Sequence, residues 1–137
     1  MNNTRFSTAL HILTLLAYKS DERLNSDFIA SSININPVLV RKEIQSLIAA
    51  NLVTSKKGKL GGVQLTRPSE DIFLSEIYEA IKQTDVLGKV HQNLNELCPI
   101  GQQMNRNLNE LHRQTDQIVT RHLETKSLSQ FLTEFTL

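Results

Sequence analysis

The chain has 137 residues, of which 39% are hydrophobic, and its 15 Lys and Arg against 14 Asp and Glu give a net charge of +1. This length suits one compact domain with a core and a projecting helix, and it leaves no room for two full domains. Because no apolar run approaches the ~20 residues that cross a bilayer, and the first six residues lack the apolar core of a signal peptide, we expect a soluble, cytoplasmic protein with no membrane partner.

The first predicted element is a helix over residues 4–19. Its apolar residues recur at spacings of three and four, which is the pattern of a helix with a broad buried face. They are Phe6, Ala9, Leu10, Leu13, Leu16 and Ala17, with Ile12 and Leu15 widening the stripe. We therefore expect this helix to be scaffold.

A short helix, a tight turn and a third helix are predicted next. The second helix is predicted to begin with Ser26 as its N-cap and to end before a turn through residues 34 and 35. The third helix has Asn36 as its N-cap and Pro37 at its first helical position, and it is predicted to run to about Ala50. This order is typical of the helix-turn-helix of DNA-binding proteins.

The third helix has two distinct faces. The residues predicted to point inward are Val40, Ile44, Leu47 and Ile48. Those predicted to point outward are Val38, Arg41, Lys42 and Gln45. An arginine can bond a guanine edge through two donors, a glutamine can bond adenine, and a valine can contact a thymine methyl, so this face suits a DNA duplex. An ordinary solvated helix face is the alternative interpretation.

A basic, glycine-rich hairpin is predicted directly after the third helix, between β-prone segments 52–55 and 63–66. Its loop carries Lys56, Lys57, Lys59, Gly58, Gly61 and Gly62. Glycines permit a tight exposed turn and lysines follow phosphates, so the hairpin is typical of a DNA-binding wing; lysines that serve only solubility are the alternative. Residues 1–68 hold nine Lys and Arg against four Asp and Glu, and residues 69–137 hold six against ten. This asymmetry also favours nucleic acid as the partner of the first half.

The second half of the chain is predicted to be helical. A helix is predicted over residues 75–83, with Ile77, Tyr78 and Ile81 pointing inward. Residues 84–98 are predicted to form a loop or a short helical piece. A long helix begins at Pro99. Its apolar seam is Met104, Leu108, Leu111, Thr115, Ile118 and His122. So narrow a stripe is typical of a helix that pairs with another, which predicts the dimer contact; a helix folding back on its own domain is the alternative.

A last short helix is predicted to begin at a capping box formed by Ser127 and Gln130. Its apolar face is Leu128, Phe131, Leu132 and Phe135. Four large apolar groups require a surface to pack on. Either a companion subunit or the winged domain satisfies this requirement.

Several of these segments together resemble a known family. They are Arg5-Phe6-Ser7, Ala9-Leu10, Ile29-Ala30, Val40-Arg41-Lys42, the run from Leu47 to Ser55, Gly58, and the run from Gly61 to Leu65. With them the chain resembles, over nearly its whole length, the bacterial Rrf2 family of winged helix-turn-helix transcription regulators. Asn51 stands where a glycine is more usual in that family.

The resemblance implies a homodimer that binds a roughly palindromic double-stranded DNA operator, usually as a repressor. The third helix would lie in the major groove and the wing along the minor groove. The implied DNA-contacting residues are Arg5, Ser26, Asn36, Pro37, Val38, Arg41, Lys42, Lys56, Lys57, Lys59, Gly61 and Gly62. The outward face of the third helix adds Gln45.

Cys98 is the one cysteine of the chain. Many Rrf2 regulators hold an iron–sulfur cluster through three cysteines in this region, and a single thiolate does not supply that set even when a dimer pools two. We therefore expect no cofactor and no metal. The four histidines, His11, His91, His112 and His122, lack close metal-ligand spacing, which favours ordinary surface or core roles for them.

Cys98 directly precedes Pro99 and is therefore predicted to be the N-cap of the long helix. The positive end of the helix dipole favours a thiolate there, which predicts a redox switch that responds to oxidants or electrophiles. Two alternatives stay open. One is an inert thiol, and the other is a small-molecule effector bound in the loop over residues 86–97.

The predicted fold is mainly α with a small two-stranded β-wing: a winged helix-turn-helix DNA-binding domain over residues 1–83, then a sensor loop and dimerisation helices over residues 84–137. The predicted function is a homodimeric, sequence-specific transcriptional regulator, a repressor modulated at Cys98. A winged-helix module that binds protein instead of specific DNA is the alternative. We expect no enzyme, because the glycines lie in a lysine hairpin without the following helix that phosphate-binding loops serve, and no nucleophile with a base is apparent.

Overall fold

The computed structural model describes residues 3–82 and 86–137. Six α-helices and a two-stranded antiparallel sheet make up its regular structure. In chain order they are α1 (Arg5–Tyr18), α2 (Ser26–Ile33), α3 (Pro37–Ala49), β1 (Val53–Lys56), β2 (Gly62–Leu65), α4 (Leu74–Ile81), α5 (Pro99–Leu123) and α6 (Leu128–Leu132), with a 3-10 turn at Ser69–Asp71 before α4. The mainly helical fold with a β-wing is thus confirmed.

Helix α1 lies at the centre of the winged domain, where it contacts α2, α3, α4, α6 and β2. Ala9, Ile12 and Leu13 on it are fully buried. Burial on this scale explains why the apolar stripe of α1 is wider than one helix face. The predicted scaffold role of this helix is confirmed.

Side-chain caps define the helix-turn-helix. Asn25 is the N-cap of α2, because its Oδ1 accepts the N–H of Phe28 at 2.8 Å. The prediction that Ser26 is this cap is therefore wrong by one residue: both types cap well, and Ser26 is the first helical residue. Asn34 ends α2 in the left-handed conformation with a φ of 64°. Asn36 then caps α3 through the N–H of Val38 at 2.9 Å, as predicted.

The exit from α3 leads directly into the wing through a Schellman motif. The N–H of Leu52 donates to the carbonyl of Leu47 at 3.0 Å, and that of Asn51 donates to Ile48 at 2.9 Å. Asn51 has a φ of 60°, a conformation that glycine adopts freely and asparagine tolerates. This geometry explains how an asparagine serves at residue 51, where the resemblance noted above leads to the expectation of a glycine.

The wing is a hairpin in which Val53 pairs with Leu65 and Lys56 pairs with Gly62. Its second strand is anchored by Leu24, which forms an isolated bridge with Val63. Gly61 permits the turn, since a Cβ there would lie 2.1 Å from the carbonyl oxygen of Lys56. The wing is therefore held against the segment that leads into α2.

The C-terminal segment packs back onto the winged domain. Ser127 and Gln130 form the predicted capping box of α6, at 3.1 and 2.8 Å. Helix α6 contacts α1, and the N–H of Leu128, which is fully buried, donates to the carbonyl of Ile72 at 2.7 Å. Of the two surfaces left open by the sequence, the winged domain is the one that covers α6, although Phe135 stays 46% exposed.

The described residues between α4 and α6 agree with their predicted form. Helix α5 begins at Pro99 with Cys98 as N-cap, and residues 86–98 contain no helix or strand. The predicted end of α4 at Gln83 lies outside the described residues. Among those described, no helix is both long enough and apolar enough to span a membrane.

Candidate nucleic-acid interface

The outward face of α3 and the wing line one concavity of about 300 Å³. Arg41 and Gln45 from α3 and Lys56 and Lys57 from the wing all contribute to its wall. Because only three residues separate the end of α3 from the start of β1, the short connection holds both elements on the same side of the domain. The arrangement places the two predicted DNA-contacting elements where one duplex can meet both.

Side chains on this surface retain their hydrogen-bonding capacity. Arg41 and Gln45 are exposed, as is Val38 at 59%, and the three lie three and four residues apart on one stripe of the helix. Within the described part of the chain, neither Arg41 nor Gln45 makes a side-chain hydrogen bond or ion pair, and the same holds for the wing lysines. Their donors are therefore available to an external partner.

The wing combines charge with one unexpected apolar residue. Lys56, Lys57 and Lys59 are exposed, and Leu60 beside them at the tip is 87% exposed. Leu60 is not among the contacts predicted from the sequence, although a leucine within a lysine-glycine turn is itself a signal. Apolar side chains are a recurrent device of proteins that enter the minor groove, so Leu60 belongs to this candidate surface.

Of the remaining predicted contacts, some line the concavity and others lie at the start of α3. Ser26, in the first turn of α2, lines the concavity beside Asn25, and Gly62 lines its wing side. Asn36 and Pro37 lie at the start of α3, where helix N–H groups favour phosphate. Gly62 has a φ of 132°, and a Cβ there would lie 2.7 Å from the carbonyl oxygen of Leu24.

Two of the predicted DNA contacts, Arg5 of α1 and Lys42 of α3, lie away from this concavity. Lys42 lines a separate cleft of about 140 Å³ together with Arg5. Arg5 bonds Glu43 through Nε at 3.2 Å and Nη2 at 2.8 Å, and it also donates to Ser46 at 3.1 Å. The hydrogen bond to Glu43 raises the pKa of Arg5 above its ordinary value. Contact of either residue with DNA stays a prediction, but Arg5 has a structural role in joining α1 to α3.

Glu43 is a buried acid that our sequence analysis did not assign. Its side chain is 7% exposed, and Arg5 covers it. The signal was present, since residue 43 falls on the inward stripe of α3 between Val40 and Leu47. A carboxylate at a buried position requires a cationic partner, and the sequence does not say which of the distant cations supplies it.

Helix α5 carries an apolar stripe that the described residues of the chain leave exposed. Met104, Leu111 and Ile118 follow each other at seven-residue spacing and are 43%, 50% and 66% exposed. Leu108 and Thr115 are half-buried beside them, and His122 is exposed. This repeat matches the seam of a paired helix.

The opposite side of α5 is attached to α4. Asp116 accepts hydrogen bonds from Lys82 Nζ and from the hydroxyl of Tyr78, each at 2.7 Å. Lys82, followed by Tyr78, holds the pKa of Asp116 below its ordinary value. His112 on the same side is 4% exposed and so belongs to the core. These contacts fix how α5 leaves the winged domain.

Cys98 is half-buried at the N-terminus of α5. The N–H of Gly101, followed by that of Ile100, lowers the pKa of the thiol. This matches the effect expected of a helix N-terminus on a thiolate.

The donor set of the chain does not fit an iron–sulfur cluster. Such clusters require several thiolates, or thiolates with histidine, and the chain has Cys98 alone. Among residues 3–82 and 86–137, no three His, Cys, Asp or Glu side chains are grouped so as to hold a metal ion. The expectation that the protein works without a cofactor stays a prediction.

Comparison with known proteins matches this architecture to regulators of transcription. The model of the Rrf2 family, described as an iron-dependent transcriptional regulator, matches residues 2–134. The chain is 36% identical over 132 residues to YwnA of Bacillus subtilis (strain 168), named as an HTH-type transcriptional regulator, covering 96% of this chain and 97% of YwnA.

Solved structures share the fold. CymR of B. subtilis, described as a global cysteine regulator, superposes with a TM-score of 0.72 at 20% identity, covering 99% of this chain and 98% of CymR. The oxidised form of Staphylococcus aureus CymR has a TM-score of 0.65 at 21% identity, covering 100% and 99%.

Proposed function

This chain belongs to the Rrf2 family of transcriptional regulators, and we propose that it is a homodimeric repressor that binds a roughly palindromic operator in the cytoplasm. The observation that carries the proposal is the shared concavity, where Arg41 and Gln45 stand beside Lys56 and Lys57 with their donors unused. A surface of this kind has the two components that operator binding needs. These are side chains for base edges and cations for phosphates.

The two components have different tasks. Arg41 and Gln45 contact base edges in the major groove, and Val38 contacts a thymine methyl. Lys56, Lys57 and Lys59 neutralise phosphates, with Leu60 at the wing tip entering the minor groove. Affinity then depends strongly on salt, whereas discrimination between sequences depends on the helix.

Dimerisation through the apolar stripe of α5 supports the palindromic site. Two copies of Met104, Leu111 and Ile118 bury each other when the helices pair. Because Asp116 ties α5 to α4, pairing the helices also sets the distance between the two winged domains. Half-sites about one helical turn apart on the DNA are the matching geometry.

We propose that Cys98 modulates binding and that the protein holds no iron–sulfur cluster. Its pKa is lowered by the N–H groups of Gly101 and Ile100, which increases the thiolate fraction that oxidants attack. The likeness in fold to a CymR solved in an oxidised form supports this proposal. Oxidation at the start of α5 would alter the element that spaces the winged domains.

The test is selection of bound sequences from a random duplex pool with the reduced protein, repeated after oxidation. A palindrome that is enriched by the reduced protein, lost on oxidation and retained after oxidation by Cys98→Ser supports both operator binding and modulation. Enrichment that is unaffected by oxidation rejects the role of Cys98 alone. No enrichment at all, together with salt-insensitive binding, rejects operator binding and favours a protein partner for the winged helix. Repression is tested separately, with a reporter gene placed behind the selected site.

A further inference from the structure

A second concavity, of about 410 Å³, lies between α1, α2 and α6 and shares no residue with the one at α3 and the wing. Helix α1 forms its floor with side chains that include Leu10, His11 and Leu15. Helix α6 and the residues after it form one wall, with Phe131 and Phe135. We call this concavity the α1–α6 groove.

The chemistry of the α1–α6 groove is predominantly apolar. The rings of Phe131 and Phe135 meet edge to face with their centroids 5.4 Å apart, and Tyr18 lies at the other end of α1 from Ser7. No lysine, arginine, aspartate or glutamate side chain is among the described residues that line it. An ion would lose hydration there and gain no opposite charge, so the lining disfavours charged ligands. Edge-to-face aromatic walls favour an aromatic guest.

The polar side-chain groups of the described lining are the hydroxyls of Ser7, Thr14 and Tyr18 and one hydrogen-bonded pair. His11 Nε2 lies 2.9 Å from Ser32 Oγ, which joins α1 to α2. Burial lowers the pKa of His11, so the imidazole is neutral at pH 7 and can both donate and accept a hydrogen bond. The groove thus offers a few polar contacts within an apolar surface, which is the composition typical of small-molecule sites of roughly 300 to 1,000 Å³.

From the volume, the predominantly apolar lining and the His11–Ser32 pair, we propose that the α1–α6 groove binds an uncharged, largely apolar aromatic small molecule that makes a hydrogen bond near His11 and Ser32. The lack of charged side chains in the described lining, together with the aromatic wall, selects this class of ligand. Ser32 belongs to the helix-turn-helix, so the occupant touches the DNA-binding unit from a side that the operator does not cover. The binding itself does not depend on the proposed operator function.

The probe is N-phenyl-1-naphthylamine, an uncharged aromatic amine whose fluorescence rises in apolar surroundings. Its matched control is 1-anilinonaphthalene-8-sulfonate, which has the same rings and a negative charge. We expect one N-phenyl-1-naphthylamine per protomer, and binding of the sulfonate at least about tenfold weaker because no cation lines the groove. Equal binding of the two probes would overturn the assignment to uncharged ligands.

Three variants locate the probe. Ser7→Trp places an indole from an exposed position of α1 into the groove, and Phe135→Ser removes part of its wall. Each is expected to weaken binding by about tenfold or more. The control Leu97→Ser removes an apolar side chain that is 93% exposed and lies outside the groove, and it is expected to leave binding unchanged. Circular dichroism monitors folding, and if one groove variant misfolds, the other decides.

Several results would overturn the proposal. They are no binding by the wild-type protein, binding that Ser7→Trp and Phe135→Ser leave intact, and an equal loss in Leu97→Ser. A fourth is binding that appears only when Ile118→Glu separates the subunits, since a second copy of the chain would then occupy the groove. Binding that the groove variants alone weaken confirms the site.

Discussion

Replacement of Lys56 and Lys57 by glutamine tests whether the wing follows the phosphate backbone. Both lysines are exposed, line the concavity beside Arg41, and form no ion pair within the part of the chain that the structure describes. Glutamine keeps the length and most of the shape of the side chain and removes only the charge. Folding is therefore expected to be unchanged.

The magnitude follows from counterion release. A homodimer carries four of these lysines, and each phosphate neutralised contributes about 0.9 to the slope of log K against log salt, so the double variant should bind with a slope less steep by about 3.6. Between 50 and 200 mM salt, the wild-type protein should consequently lose about a hundredfold more affinity than the variant.

The assay is fluorescence anisotropy with the selected operator over a salt series. Lys89→Gln combined with Arg121→Gln serves as the control, because it removes the same charge from the acidic half of the chain and should leave the slope unchanged. If the wing variant loses the same factor of affinity at every salt concentration, the lysines do not neutralise phosphate. The wing would then act through shape alone.

Five further substitutions, two of them combined in one double variant, test the base contact of Arg41, the Arg5–Glu43 pair, the dimer seam and the acid dependence of stability. Arg41→Ala should lose about 1 to 3 kcal/mol of discrimination at one position of each half-site, measured by competition with mutated operators; equal weakening on every sequence would mean that Arg41 touches phosphate. Arg5→Ala should lower the midpoint of urea unfolding because it leaves Glu43 buried without its partner, and adding Glu43→Ala should restore much of the loss; continued loss of operator affinity in the double variant would indicate that Arg5 touches DNA. Ile118→Glu should give monomers in analytical ultracentrifugation, and a dimer of unchanged affinity would place the seam elsewhere. The lowered pKa of Asp116 means that its stabilising effect is present above the pKa of the unfolded carboxyl and is lost as pH falls through the lower folded value, so Asp116→Asn should flatten the fall in thermal stability at acidic pH.

Local signals made the helix-turn-helix and its wing predictable. Asn36 and Pro37 specify the start of α3 because a cap and a proline act within one turn of the helix. The same locality explains the one-residue error at α2, where Asn25 and Ser26 are adjacent residues that both cap well. The backbone dihedral angles decide which of the two residues is the N-cap, since Asn25 is extended and Ser26 is already helical.

Contacts between distant segments were not predictable in the same way. The apolar face of α6 indicated that a surface must cover it, but periodicity carries no information about which one, and α1 proved to be that surface. The aromatic wall of the α1–α6 groove escaped notice for the same reason. Phe131 lies more than a hundred residues from Leu10, and only the tertiary fold brings them to one cavity.

The pairing of Glu43 with Arg5 bears directly on the charge of the candidate interface. Glu43 is the one acid of α3, and it follows immediately after Arg41 and Lys42. Were it exposed, its carboxylate would repel the phosphates that the wing lysines attract. Because α1 supplies Arg5 to it on the inward side, the outward face of α3 is left with uncompensated positive charge. Through its contact with Glu43, Arg5 thus favours DNA binding by keeping a carboxylate away from the DNA.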